Sequence, residues 1–345
     1  MNKLKRIGLS ALAGSLVAVS ASAGDLAVTG TWELTYKSDD KANVGNPFGS
    51  KSAINFNGSG DVDGVGTATW YAAINDNNPA GFLSHKITLD MGDMGEFGFD
   101  QGVGSYGVGT IDDKSPTAWE ESWHNTANSA GGLSASGGSG GVLGYKNTYM
   151  GMNINVEYAP SLSSADAGDG GTGARSTATT VTQTGSNTNF SVTNSTLVDG
   201  LDFGAGYGSN DADNTGVTTD TDVESMVAYA NYTWNNVTVG YTISQSRGGT
   251  AASSANEVNA YGIAFNINDD LSISYNEHNN DYKKTSSDGS TGSGQADVEQ
   301  EAKGLALAYT MGGATLAIQQ NEMDNVKGVQ NTNDEITEVS LSLAF

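Results

Sequence analysis

The sequence predicts an all-β chain: a transmembrane, antiparallel, up-and-down barrel of about sixteen strands. Three observations carry that reading. Apolar side chains recur at alternate positions in runs of about ten residues, which is the period of a strand. The links between runs alternate between long polar loops and tight turns. Proline, which cannot donate to a hydrogen-bonded ladder, stays out of the runs.

The first run is Leu26, Val28, Gly30, Trp32, Leu34 and Tyr36, with Asp25, Thr29, Thr31, Glu33 and Thr35 between them. Successive strand side chains point to opposite faces, so this spacing gives one apolar and one polar face. Further runs are centred near residues 55, 70, 87 and 99. The sixth and eighth, around Leu143-Gly144-Tyr145 and Phe190-Ser191-Val192, are the least patterned. Between them Met152, Ile154, Val156 and Tyr158 alternate with Asn153, Asn155 and Glu157. After runs near 205 and 228, Val237, Val239, Tyr241 and Ile243 alternate with Thr238, Gly240 and Thr242. Tyr261, Ile263, Phe265 and Ile267 alternate with Gly262, Ala264 and Asn266, and the last runs centre near 274, 305, 318 and 340. No comparable stretch shows a 3.6-residue apolar stripe.

Odd-to-even links are mostly long: 37–51, 105–139, 160–188, 208–222, 247–256, 280–297 and 323–334, with a shorter one at Asn75 to Gly81. Even-to-odd links are tight and rich in residues that tolerate positive φ. Examples are Gly92-Asp93-Met94-Gly95, Val198-Asp199-Gly200, Trp234-Asn235-Asn236 and Met311-Gly312-Gly313. Pro47, Pro79, Pro116 and Pro160 all lie on the long-loop side. Long loops at one end and short turns at the other is the layout of a membrane barrel. Tyr36, Tyr158, Tyr207, Tyr241 and Tyr275 near the loop ends, and Trp234, Tyr309 and Phe345 near the turn ends, suit two interfacial girdles.

Charge and composition narrow the function classes. With 15 Lys+Arg against 39 Asp+Glu, a net charge of -24, the chain would repel nucleic-acid phosphate. Without cysteine it has neither a disulfide nor a thiolate site. Residues 1–23 place Lys3, Lys5 and Arg6 before an apolar run from Ile7 to Val19 and end Ala21-Ser22-Ala23, the form of a secretory signal peptide. Cleavage after Ala23 leaves 24–345 as the barrel, with 12 Lys+Arg against 39 Asp+Glu, a net of -27.

The chain closes on Val339-Ser340-Leu341-Ser342-Leu343-Ala344-Phe345. That alternation ending on Phe resembles the last strand of Gram-negative outer-membrane proteins, where the terminal Phe serves as an assembly signal. With the leader, the strand count and the long third loop, the whole of 24–345 resembles the general trimeric porins, of the alphaproteobacterial type. The resemblance implies a homotrimer in outer-membrane lipid that passes small hydrophilic solutes and ions by diffusion. It also implies a third loop folded into the lumen, with acids facing bases on the wall. An apolar outer strip for subunit contact is available from Val28, Leu34, Leu341 and Leu343.

The third loop, about 105–139, carries Asp112, Asp113, Glu120 and Glu121, with Lys114 as its only base. These four acids are the expected constriction charges, and their excess predicts a preference for cations. The basic wall departs from the family pattern, because the only arginines of 24–345, Arg175 and Arg247, fall in predicted loops. Inward parity makes Lys51 and Lys86 the best substitutes, with Lys37 nearer the rim. Lys86 is the clearest: Leu83, Ile87, Leu89 and Met91 share one parity, and Ser84, Lys86, Thr88 and Asp90 the other.

Other motifs carry little chemistry. Gly102-Val103-Gly104-Ser105-Tyr106-Gly107 matches a dinucleotide fingerprint, but no βαβ unit surrounds it. Ser38-Asp39-Asp40-Lys41 stands without the partner motifs of serine-lysine acylases. His85, His124 and His278 lie in unrelated segments, so neither a His-based metal site nor a Ser/His/Asp enzyme is expected. No cofactor is expected. Acidic loops such as Asp166 to Gly171 and Asp211 to Gly216 offer at most weak divalent-cation binding. The competing function is a structural or adhesive barrel whose surface loops do the work. Strand number separates the two, since about sixteen strands enclose water and about eight are filled by side chains.

Overall fold

The computed structural model describes residues 24–40, 45–76, 84–124, 141–160, 186–211, 222–248, 255–283 and 298–345. The expected signal peptide, Pro79, Arg175, the third loop at 125–140 and the acidic stretches 166–171 and 212–216 lie outside the described residues.

Sixteen strands form in chain order. They are β1 (Asp25–Asp39), β2 (Phe48–Val62), β3 (Gly66–Asn75), β4 (Ser84–Asp90), β5 (Glu96–Gln101), β6 (Val142–Tyr149), β7 (Met152–Ala159) and β8 (Asn187–Asn194). The second half is β9 (Leu201–Asn210), β10 (Val223–Trp234), β11 (Val237–Gly248), β12 (Ala255–Asn266), β13 (Leu271–Lys283), β14 (Val298–Met311), β15 (Ala314–Asp324) and β16 (Asn333–Ala344). Each pairs antiparallel with its chain neighbours, and β1 pairs with β16, so the sheet is a closed barrel with no free edge. At the seam Thr31 lies opposite Ala344 and Asp39 opposite Ile336. Gly30 and Phe345 exchange backbone hydrogen bonds of 3.0 and 2.9 Å, which fastens the last residue to the first strand. All sixteen expected strand centres fall within these strands, the weakly patterned sixth and eighth included.

The burial pattern is inverted relative to a water-soluble fold. Leu26, Val28, Ile87, Phe97, Leu143, Phe190, Leu305 and Ile318 are exposed on one parity. Thr88, Asn189, Ser191, Thr242, Asn276, Gln319 and Asn321, on the other, are buried. A closed barrel has only two faces, so the apolar parity is the outer one and the polar parity the inner one. Trp234, Tyr309 and Phe345 at the turn end and Tyr36, Tyr158, Tyr241 and Tyr275 at the loop end are exposed on the outer side.

Several strands outrun their apolar patterns. The predicted link 37–51 contains the end of β1 and the start of β2, so Lys37 and Lys51 are both strand residues. Arg247, expected in a loop, lies in β11 opposite Glu224 of β10. It shares parity with Tyr241 and Ile243 and so stands on the outer face, away from any inner wall. The reason is that ladder hydrogen bonds come from the backbone and continue past the last apolar side chain. The link from β6 to β7 is a two-residue turn, with Met150 at φ 52° and Gly151 at 79°. Methionine carries no turn signal, so Gly151 is this turn's one mark in the sequence.

Candidate functional site

After Gln101 the chain leaves the sheet. Gly102 and Gly104 take φ values of 77° and 72°, a left-handed conformation that suits glycine. The Asp100 carboxylate accepts from the Val103 and Ser105 amides at 2.7 and 2.8 Å and fixes the bend. Lys86 Nζ donates to Ser105 Oγ at 2.9 Å, tying the neighbouring strand to the same point.

From Tyr106 to His124 the segment runs as a strap against the inner parity of successive strands. The Tyr106 ring covers Gly98 of β5 and Gly144 of β6. A Cβ on either glycine would come within 1.9 or 2.1 Å of the ring or its hydroxyl, so only glycine admits it. Tyr106 Oη donates to Glu96 at 3.1 Å, and Lys146 Nζ stands 4.7 Å over the ring. The Gly107 and Val108 amides donate to Asn155 of β7 and Asn189 of β8 at 3.0 and 2.6 Å. Val108 and Ile111 pack with Val227 and Tyr229 of β10. Asn231 holds the Lys114 carbonyl at 2.7 Å. The Ala118 and Ser122 amides donate to Ser274 and Asn276 of β13, each at 2.7 Å. Gln319 and Asn321 of β15 donate to the Glu121 carbonyl at 2.7 and 3.2 Å. Polar wall side chains thus satisfy backbone groups that a strap cannot satisfy for itself.

The four predicted acids all lie on this strap, while the two predicted lysines lie apart. Asp112 and Glu121 are half-buried, and desolvation leads in raising both, with Asp113 repelling each. Asp112 is pushed up to about 6 and Glu121 to about 7. Burial also raises Asp113 and Glu120, and Glu120 is in part restrained by the positive Lys51. Burial lowers His124, whose Nδ1 stands 3.6 Å from Glu120. Lys51 does not stand as an open positive wall: its ammonium is held by Glu33 of β1 at 2.9 Å. Lys86 belongs to the other end of the strap, where it anchors Ser105.

Glu33 and Glu338 are the residues that sequence reasoning missed. Glu120 feels the charge of Glu33, and His124 that of Glu338, so both wall acids face the end of the strap. Their parity was readable, since Glu33 lies between Trp32 and Leu34 and Glu338 beside Val339. Their height along the strand relative to the loop was not. A polar cavity of about 920 Å³ is lined by Thr110, Lys114, Lys146, Asn155, Asp202 and Tyr229. A second cavity, of about 570 Å³, lies beside Asn57, Thr69, Tyr71, Lys86 and Val103. At the long-loop rim the carboxylates of Asp39, Asp40 and Asp334 converge within 4.8 Å, the one metal-compatible group among the described residues. Lys37 Nζ is 3.8 Å from Asp39 and already offsets part of that charge.

No protein-family model and no curated protein matches the chain. Solved structures do. It is similar to OmpF of Salmonella typhi, determined in complex with daunomycin, at 15% identity and TM-score 0.68, covering 95% of this chain and 100% of that one. It is similar to an anion-selective porin from Comamonas acidovorans at 14% identity and TM-score 0.64, covering 93% and 100%. An outer-membrane protein of Vibrio cholerae, OmpT, gives 10% identity and TM-score 0.65 over 95% and 100%. At such identities the likeness is one of fold: the chain has the sixteen-stranded barrel fold of the Gram-negative outer-membrane porins.

Proposed function

We propose that the protein is an outer-membrane porin, a water-filled channel for passive diffusion of small hydrophilic solutes and ions, with a preference for cations. The observation that supports this best is the strap with its acids on the inner parity of a closed barrel whose outer parity is apolar. The described part of this strap, Tyr106 to His124, runs from β5 and β6 along the wall to β13 and β15. At its described end Glu120 faces Glu33 and His124 faces Glu338, and Lys51 is matched by its own ion pair. Charge on outer loops is screened within about 8–10 Å at physiological salt, so selectivity must arise in this narrow section.

The test is a planar-bilayer recording in a KCl gradient. The unmodified channel should give a reversal potential on the cation side. Changing Asp112 and Asp113 to Asn and Glu120 and Glu121 to Gln together should move it toward zero with the barrel intact. An anion-selective channel, or a potential unmoved by the quadruple change, would overturn the assignment. On the same reading, residues 1–23 are removed on export, and amino-terminal sequencing of the membrane protein should begin at Gly24. Phe345 is the assembly signal, and Phe345→Ala should lower the yield of membrane-inserted barrel in cells more than refolding in detergent.

A further inference from the structure

At Trp123 the strap meets the wall in an unusual contact. His278 of β13 is fully buried on the inner face, and the Trp123 ring covers it with centroids 4.5 Å apart at 47°. Ala302 lies opposite His278 on β14 and Ala260 opposite it on β12. Trp123 and Ala302 share an apolar cluster with Met323 and Val326. Neither ring nitrogen of His278 meets a hydrogen-bond partner among the described residues. On either side of Trp123 the strap is held by hydrogen bonds to neutral wall side chains: Ser122 N to Asn276, the Glu121 carbonyl from Gln319 and Asn321, and the His124 carbonyl from Asn321 at 3.0 Å.

We propose that Trp123 and His278 form an acid-released latch, which fixes the strap at Trp123 to the wall at neutral pH and frees it there when the imidazole takes a proton. An unperturbed imidazole is neutral at pH 7 and charges as the pH falls below about 6. The groups facing it are Asn276 and Asn280 on its own strand, Val258 and Ala260 from β12, Gln300 and Ala302 from β14, Met323 from β15 and Trp123 from the strap. None of these carries a charge, and the nearest acids of the strap, Glu120 and Glu121, are separated from Trp123 along the chain by Ser122. A proton on the closed ring would therefore be a buried charge without a counter-ion or acceptor. The indole face returns part of that cost as a cation–π contact, but less than full desolvation takes away. Water reaches the ring once Trp123 lifts, so protonation favours the lifted strap.

The latch is a statement about the strap; its effect on conduction rests on the channel reading, and two readouts keep them separate. Hydrogen exchange by mass spectrometry on the full barrel in detergent, corrected for intrinsic rates, reports the amides of 118–124 between pH 7.5 and 4. Single-channel recording over the same range reports conduction. The expected result is about tenfold faster exchange of that segment in acid, with new conductance substates, both absent in His278→Phe. His278→Leu is the second variant should the first refold poorly. Trp123→Ala should show the fast exchange at pH 7.5 already. Equal acid responses in wild type and both His278 variants, or none in wild type down to pH 4, would overturn the latch. A protein that conducts at no pH but shows the His278-dependent exchange would overturn the channel reading and keep the latch.

Discussion

Because burial lifts Glu121 to about 7 and Asp112 to about 6, the strap carries less than its formal charge at neutral pH. Both groups are raised above their unfolded values of about 4. Their contribution to stability is therefore full below those unfolded values and is lost as the pH rises through 6 to 7. Selectivity runs the other way, since only the ionised form attracts cations. The reversal potential in a KCl gradient should thus be largest near pH 8 and shrink on acidification, with most of the change between pH 7 and 6. In Glu121→Gln with Asp112→Asn that slope should flatten. Glu33→Gln makes a contrasting case, because it strips Lys51 of its partner. A positive group without its ion-pair partner then stands before Glu120, and the potential at pH 8 should drop by more than one neutralised acid alone explains.

The strap is an element without a period of its own, and that explains which parts of the molecule were legible in sequence. Strands announce themselves because one face must be apolar along its length, and β10 to β16 could be read almost residue by residue. The segment 102–124 mixes Gly, Pro and acids with apolar and aromatic residues at no regular spacing, the signature of a loop. Its seat is assembled from afar: Asn155 receives an amide 48 residues upstream, and Asn321 reaches a carbonyl 200 residues away. The four acids were legible as loop charges, but their neighbours Glu33 and Glu338 were not legible as part of the same site. Nor was Tyr106, whose partners are the absent side chains of Gly98 and Gly144. A side chain there must displace the ring, and overpacking of this kind costs about 1–3 kcal/mol. Gly144→Val should therefore lower the temperature at which the folded form is lost on a heating gel series. It should also lower single-channel conductance, since the start of the strap is pushed off the wall into the lumen. Gly58→Val, on the outer face of β2, has room for its Cβ and should change neither.

At the scale of the whole molecule the barrel is uneven in height. β5, flanked on both sides by described residues, has six residues, and β7 and β8 have eight each. β10 to β14 have 12 to 14. A tilted strand needs about 9–11 residues to cross a bilayer, so the arc around β5 is too short to be bathed in lipid across its whole height. Yet that arc is strongly apolar outside, with Ile87, Phe97, Phe99, Leu143 and Tyr158 exposed. Toward the seam the apolar surface continues through Trp70, Ile54 and Val28 to Leu34, which lies opposite Leu341. A second and third copy of the chain would cover this surface and relieve the mismatch, the arrangement expected of a homotrimer. Phe97→Ser with Leu143→Ser should then shift the detergent-extracted, unheated protein from the mass of three subunits toward that of one, with the strand content kept. Leu305→Ser with Ile318→Ser removes comparable apolar groups from the tall arc of β14 and β15, which on this reading faces lipid, and should leave the mass unchanged. A single-subunit mass for the unmodified protein, or equal loss from both pairs of changes, would place lipid rather than protein against the short arc.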